Sequence, residues 1–433
     1  MKKTLTIMIA IMMITSLIPM ASAQGEPLTI QFWHTRGSGA NYEVVQESVN
    51  TFNETIGKEK GIFVQEVFVG NYNEILPKTQ LAIQSGESPQ VVVSGNTFVN
   101  YLMEDEVLAD MAPLAESTGW DKANLLQPFQ EIKGNTDGTL YSLPYIRSTP
   151  MFYYNKTMAD AKGLTAPNTV EEMIEFCRGL WEKDAAGATT VYGMLITNDF
   201  GYLNACHLYQ LGSAFIADDG MSSPSLADGT MLKVLSDWRA WVDEGWCSPY
   251  DATNAGTVMQ EMFTQQKLGA MLTSSGSLAS VLRNAKEAGF EVGVAQYPTY
   301  DIEKRIAEIG GGNVCIISEG NSDEQIAASW EFVQYLMSDE MVTLNTTKTG
   351  YVPTTYSVAN YEGMKTFWEA NPLFEVAYEQ VKTGRCQEFP YSPYLQDFTQ
   401  ACWDAVSLLI QDQSINAEQA LEHIIANSSQ FFN

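Results

Sequence analysis

The stretch "LTIQFWH" (28–34), together with the segment from it to residue 95, decides the fold. Its β-branched and aromatic residues predict a strand. "NYEVVQESVNTFNETIG" (41–57) comes next with helical spacing, and "GIFVQEVFVG" (61–70) is a second strand. "YNEILPKTQLAIQSG" (72–86) predicts a second helix and "PQVVVSG" (89–95) a third strand. Strands that alternate with helices predict βαβ units and a parallel sheet. Ligands of such sheets sit beyond the carboxyl ends of the strands.

Outward from that core, "TLYSLPYI" (139–146) and "TPMFYYNKTM" (149–158) predict consecutive strands. Helical patterns occupy 169–184, 229–245 and 258–266. "LGAMLTSSG" (268–276), "FEVGVAQYP" (290–298) and "GNVCIIS" (312–318) return to strand. The last third, with "DEQIAASWEFVQYLMS" (323–338) and "DFTQACWDAVSLLIQD" (397–412), is strongly helical. No repeat or low-complexity tract interrupts the chain.

The N-terminus reads as an export signal. "MKK" is a basic start, residues 4–20 are an apolar run, and "ASA" ending at Ala23 is a small-residue cleavage site. The run is short for a bilayer crossing. The mature chain is expected to begin at Gln24, in the periplasm or outside the cell. No cysteine follows the cleavage site, so no lipid anchor is expected. The remaining length exceeds what one core usually serves, which predicts two domains. A formal charge of −28 makes the chain a poor partner for nucleic acid or anionic lipid. The six cysteines show no CxxC or metal-finger spacing. Buried thiols and disulfides both remain open for them.

Catalytic signatures are absent. There is no G-x-S-x-G elbow, H-E-x-x-H, P-loop or EF-hand loop. His34, His207 and His423 are scattered, and nothing in the sequence pairs one with a nucleophile. Acidic pairs abound, so they do not single out a glycosidase site. No metal or cofactor is expected. In "MLTSSGSLAS" (271–280), Ser274, Ser275 and Ser277 precede a helical stretch. Serines at a helix start cap free backbone N–H groups, and the same groups favour an oxygen-rich ligand.

Six strings occur in one order: "FWH" (32–34), "GNYNEIL" (70–76), "STPMFYYNK" (148–156), "SSGSLAS" (274–280), "IGGG" (309–312) and "TGYVPTT" (349–355). The ordered set resembles the extracellular solute-binding proteins of sugar-type ABC importers, in the branch of the glycerol-3-phosphate-binding proteins. The resemblance covers nearly the whole mature chain. It implies two α/β lobes, a hinge that the chain crosses more than once, and a ligand cleft between the lobes. Expected boundaries are 24–130 with 276–335 for one lobe, and 131–275 with 336–433 for the other.

Residue by residue, the resemblance implies Tyr72, Ser148, Ser274, Gly311 and Tyr351 as ligand contacts, with Ser275 a neighbour of Ser274. Phe200 and Tyr202 offer a stacking floor, and Asp199 suits the hydroxyls of a neutral sugar. Aromatic faces suit the C–H faces of a sugar or polyol, and hydroxyls and backbone N–H groups fix its oxygens. The chain departs from the branch at three places. Asn96 stands where the branch has a glutamate, Phe398 stands near its phosphate-binding arginine, and "DFGY" (199–202) replaces its paired tryptophans. Arg147 is a substitute cation for a phosphate ester. Arg36 is a second, more readily read as a surface ion pair. The implied function is capture of a carbohydrate, polyol or glycerol-phosphate-like solute by a monomer, for delivery to membrane permease subunits. The rival readings are an exported carbohydrate-active hydrolase and a chemoreceptor-coupled sensor on the same scaffold.

Overall fold

The computed structural model describes residues 26–432 except 133, 136–137, 250–254, 389–391 and 431, and without the side chains of 96, 97 and 255. The expected leader, residues 1–23, lies outside the described residues. Among them, no helix is long and apolar enough to cross a membrane.

Strand β1 (Leu28–His34) buries Ile30, Phe32 and His34 on one face, the period of two that a half-covered strand requires. It pairs in parallel with β2 (Ile62–Phe68) and β3 (Val91–Gly95). The intervening helix Gly39–Glu54 buries Val44, Val45, Ser48, Val49 and Phe52, one stripe at helical spacing. Helix Tyr72–Ser85 starts on a capping box between Asn71 and Glu74. Strand β3 is buried at every position, as expected for a strand covered on both faces.

Strands β4 (Leu143–Ser148) and β5 (Pro150–Asn155) are consecutive but belong to different sheets. β5 is the centre of an antiparallel sheet, with β6 (Ala270–Ser274) on one side and β7 (Val292–Gln296) on the other. A short strand β8 (Ala307–Glu308) precedes β9 (Gly310–Ile316). β9 returns to the first sheet and runs antiparallel to both β3 and β4, giving the order β2-β1-β3-β9-β4. β8 pairs with β10 (Cys386–Gln387).

This pairing corrects the expected lobe boundaries. The chain leaves the first sheet at Thr149, not near residue 131, because β4 is hydrogen-bonded to β9. It returns between Gln296 and Gly310, not near residue 276, because β7 is bonded to β5. Helix Asp323–Leu336 packs on β1, and helix Asp339–Thr349 packs on Gly39–Glu54. The latter therefore belongs with the first lobe, against the expected change at 336. Helices Leu395–Gln411 and Ala417–Ser428 pack on Thr230–Glu244 in the second lobe. Two large apolar clusters result. One includes Phe32, Phe52, Val93 and Phe332, and the other Phe152, Trp238, Phe398 and Val406. All six cysteines are free thiols, five of them buried.

Candidate functional site

The glycines that open β9 let side chains from both lobes close onto bare backbone. Gly311 has φ +98°, and a Cβ there would lie 2.0 Å from the Ile146 carbonyl oxygen. A Cβ on Gly310 would lie 2.4 Å from the Tyr202 ring, and one on Gly312 would lie 2.8 Å from Tyr72 Oη. Across the site, a Cβ on Gly276 would come within 2.7 Å of the Tyr351 ring. The three tyrosines surround a cavity of about 380 Å³, whose walls also include Gly95, Phe98, Ser148, Glu308, Gly311 and Glu388. It lies at the ends of β3, β4 and β9, where the first sheet meets the second lobe.

Tyr72 is placed by the first turn of its helix, directly after the capping box. Its hydroxyl is buried with no hydrogen-bond partner among the described residues. Tyr202 sits in a π-helical turn, Phe200–Asn204, whose backbone is held by Asp199; that carboxylate accepts from Tyr202 N at 3.1 Å. Tyr202 Oη lies 2.9 Å from Ser148 Oγ and 3.4 Å from Ser274 Oγ. Burial holds the Tyr202 phenol well above its ordinary pKa, so it keeps its proton as a donor. Burial also raises the Asp199 carboxyl to about 6, against the Tyr202 N–H bond that lowers it.

Thr149, alone between β4 and β5, is tied on every side. It exchanges backbone and hydroxyl bonds with Ser275 at 2.9 and 3.3 Å. Its hydroxyl donates to Glu308 O at 2.9 Å, and Gln380 Nε2 donates to that hydroxyl at 2.7 Å.

The structure brings Tyr72, Ser148, Tyr202, Gly311 and Tyr351 together around one cavity. It separates other expected residues from it. Phe200 and Phe398 are 0 % exposed. Phe200 stacks on Phe215 and packs at a tilt on Trp238, while Phe398 packs at a tilt on Phe215 and edge-on against Phe432. Both fill the core of the second lobe, because the apolar stripe of Leu395–Gln411 carries Phe398 inward. Ser275 is buried and holds the crossover at Thr149 rather than facing the cavity. Ser274 caps the following turn through Gly276 N at 3.2 Å and supports Tyr202 from behind. Asp199 likewise acts through the turn that carries Tyr202. Asn96 opens the helix Asn96–Glu104, and its side chain lies outside the described residues.

The cations also differ from expectation. Arg147 is fully buried and donates to Asn313 Oδ1 at 2.8 Å and to Glu388. It lies 5.2 Å from the centre of the Phe129 ring. Its charge is matched inside the protein rather than held for a phosphate. Arg36 forms no surface ion pair among the described residues. Its guanidinium covers the Tyr351 ring at 4.5 Å, and Nε and Nη2 are buried without hydrogen-bond partners among the described residues.

Glu308 and Glu388 were not singled out from the sequence. A carboxylate just before "IGGG" is the one signal that could have found Glu308; Glu388 has none, since only β8–β10 pairing brings it to the cleft. His34 bonds Glu66, His207 is buried against Trp238, Tyr297 and Tyr300, and His423 lies beside Asn427 on the last helix. Among the described residues, no group of acidic, His and Cys side chains is arranged to hold a metal ion.

Asp199 gives a pH signature. Its folded pKa is raised, so between about pH 4 and 6 the folded state holds more protons than the unfolded chain. Stability from this group is therefore gained as pH falls through about 6 toward 4. Asp199→Asn keeps the capping oxygen and removes the charge. The difference in unfolding free energy between the unaltered protein and this variant is expected to shift in favour of the unaltered protein on acidification. Urea melts at several pH values check it; a pH-independent difference would contradict it.

The profile of the family described as "Bacterial extracellular solute-binding protein" matches residues 47–376. Among curated proteins, the sn-glycerol-3-phosphate-binding periplasmic protein UgpB of Rhizobium meliloti is 27% identical over 361 residues, 79% of each chain. The crystal structure of UgpB from Mycobacterium tuberculosis in complex with glycerophosphocholine aligns with a TM-score of 0.77 and 19% identity, over 93% of this chain and 98% of that one. The maltose/maltodextrin-binding domain MalE of Bdellovibrio bacteriovorus, bound to maltotriose, aligns with a TM-score of 0.72 and 17% identity, over 93% and 99%. A two-sheet fold with an aromatic cleft at the crossover, together with a family match over most of the chain, places this protein in the bacterial extracellular solute-binding family.

Proposed function

We propose that this chain captures a carbohydrate, polyol or glycerol-phosphate-like solute in the cleft and delivers it to the permease of an ABC importer. One observation carries the reading: Tyr72, Ser148, Tyr202, Gly311 and Tyr351, from both sides of the crossover, line one cavity. The rings offer faces for C–H groups, and the hydroxyls offer fixed donors and acceptors. The single residue between β4 and β5 is the natural place for lobe movement about the ligand, because few backbone torsions there need change. No catalytic step is proposed. Export by a leader cleaved after Ala23, without a lipid anchor, and action as a monomer belong to the same reading.

The internal pairing of Arg147 supports a sugar or polyol over a phosphate ester. A thermal-shift screen of the purified protein tests this. Its panel holds glycerol-3-phosphate, glycerophosphodiesters, mono- and disaccharides and short oligosaccharides. A ligand that binds only the folded state raises the melting temperature by mass action. A response to sugars or polyols is the expected result. A response to phosphate esters alone would shift the assignment to Arg36, and silence across the panel would contradict the reading.

Ser274→Ala tests the support of Tyr202. Loss of one hydrogen bond behind the ring is expected to weaken binding of the responding ligand by about 1 kcal/mol. Calorimetric titration measures it, and unchanged affinity would return Ser274 to turn capping alone.

A further inference from the structure

The wall of the cavity contains an acid that the protein does not satisfy. Glu308 is 1 % exposed, yet it lines the cavity, and its Oε2 is buried without a hydrogen-bond partner among the described residues. An unpaired buried carboxylate is costly to folding. Its neighbourhood has an excess of acid. Glu388 and Asp199 face it, with Arg147 as the cation, the Tyr209 hydroxyl beside it acting against the rise in its pKa, and the Cys206 thiol on its backbone N–H at 3.2 Å. Arg147 is already engaged by Glu388 and Asn313. Glu308 and Glu388, both on the cavity wall, thus share one buried guanidinium behind it. Burial, and then the like charge of Glu388, push the Glu308 carboxyl well above its ordinary range. Both causes favour its protonated form.

We propose that Glu308 recognises a basic nitrogen on the solute, so that the cleft selects an amine-bearing sugar or polyol over its neutral parent. This rests on the solute-binding reading and narrows it. A cation brought to Oε2 supplies the missing donor and offsets the excess negative charge. It also favours the ionised form of Glu308. The carboxyl then gives up its proton to solvent as the ammonium arrives already charged. The tyrosine rings complete the site, since a cation is attracted to an aromatic face.

The test is calorimetric titration of matched pairs at about pH 6, where the ligand amines are protonated. The pairs are D-glucosamine with D-glucose, D-galactosamine with D-galactose, and the deacetylated disaccharide of glucosamine with cellobiose. In at least one pair the amine is expected to bind roughly tenfold or more tightly than its parent, the scale of one charge-assisted hydrogen bond. Titration in two buffers of different ionisation heat is expected to show proton release on binding. Glu308→Gln is expected to abolish both the preference and the release. Proton release by the unaltered protein decides the matter even where that variant does not fold. Equal binding within every pair, or amine binding without proton release, would overturn the inference. Neutral sugars that bind without any amine preference would overturn it and leave the solute-binding reading standing.

Discussion

Gly311→Ala is expected to destabilise the protein by about 3 kcal/mol or more, combining left-handed backbone strain with overpacking. The two costs are separate at this position. With φ at +98°, any Cβ is strained before contacts are counted, and the new methyl would meet the Ile146 carbonyl oxygen at 2.0 Å. That oxygen belongs to β4, which is paired with β9 at this point. Relief requires the two strands to part, and they are the link between the first sheet and the crossover. The unfolding midpoint in urea measures the effect. Gly310→Ala is the control, because the contact there is the Tyr202 ring at 2.4 Å, a side chain that can turn away. It is expected to weaken ligand binding more than stability. Equal and small losses of stability in both variants would show that the backbone near Gly311 adapts and would contradict the expectation.

Arg147→Met is expected to cost about 3 kcal/mol, the scale for removing one partner of a buried ion pair. The arginine is fully buried, and its loss strands Glu388 and Asn313 while removing the cation nearest Glu308. Methionine fills much of the volume, so the loss reports charge more than packing. Combining it with Glu388→Gln is expected to recover part of the stability, because the stranded carboxylate goes too. Denaturant melts of the two single variants and the double variant form the cycle that measures the coupling. Strict additivity would show that the pair contributes nothing as a pair.

The first sheet was legible because its signals are local. "LTIQFWH", "GIFVQEVFVG" and "PQVVVSG" each carry a strand pattern within a few residues, and the helices between them carry their own stripe. The pocket tyrosines were reached differently. Tyr72 and Tyr351 came from ordered strings shared with a family, Tyr202 came from a segment that departs from the family's paired tryptophans, and side-chain type alone did not separate them from Phe200 and Phe398. Those two are equally aromatic and sit in similar local patterns. A phenylalanine on an amphipathic helix points to whichever body covers that helix. For Leu395–Gln411 the covering body is the second lobe.

Lobe membership failed for a related reason. β4 and β5 are adjacent in sequence and similar in composition, yet one residue between them changes sheets. Strand pairing is a long-range choice, made by hydrogen bonds between segments more than 100 residues apart, such as β4 with β9. Electrostatic partnership is equally non-local. Arg147 looked available for a ligand because its partner, Glu388, lies at the far end of the chain.

The sequence by itself determined the element types, the two-lobed α/β class, the export signal as an expectation, and the family strings that mark the cleft. Local periodicity and short motifs suffice for these, since each depends on residues a few positions apart. Only the tertiary structure decided which lobe each strand joins, which aromatics face the cavity, and that Arg147 is paired inside the protein while Glu308 Oε2 has no hydrogen-bond partner among the described residues. These depend on which distant groups meet in a low-dielectric interior, where one contact decides whether a buried charge is matched.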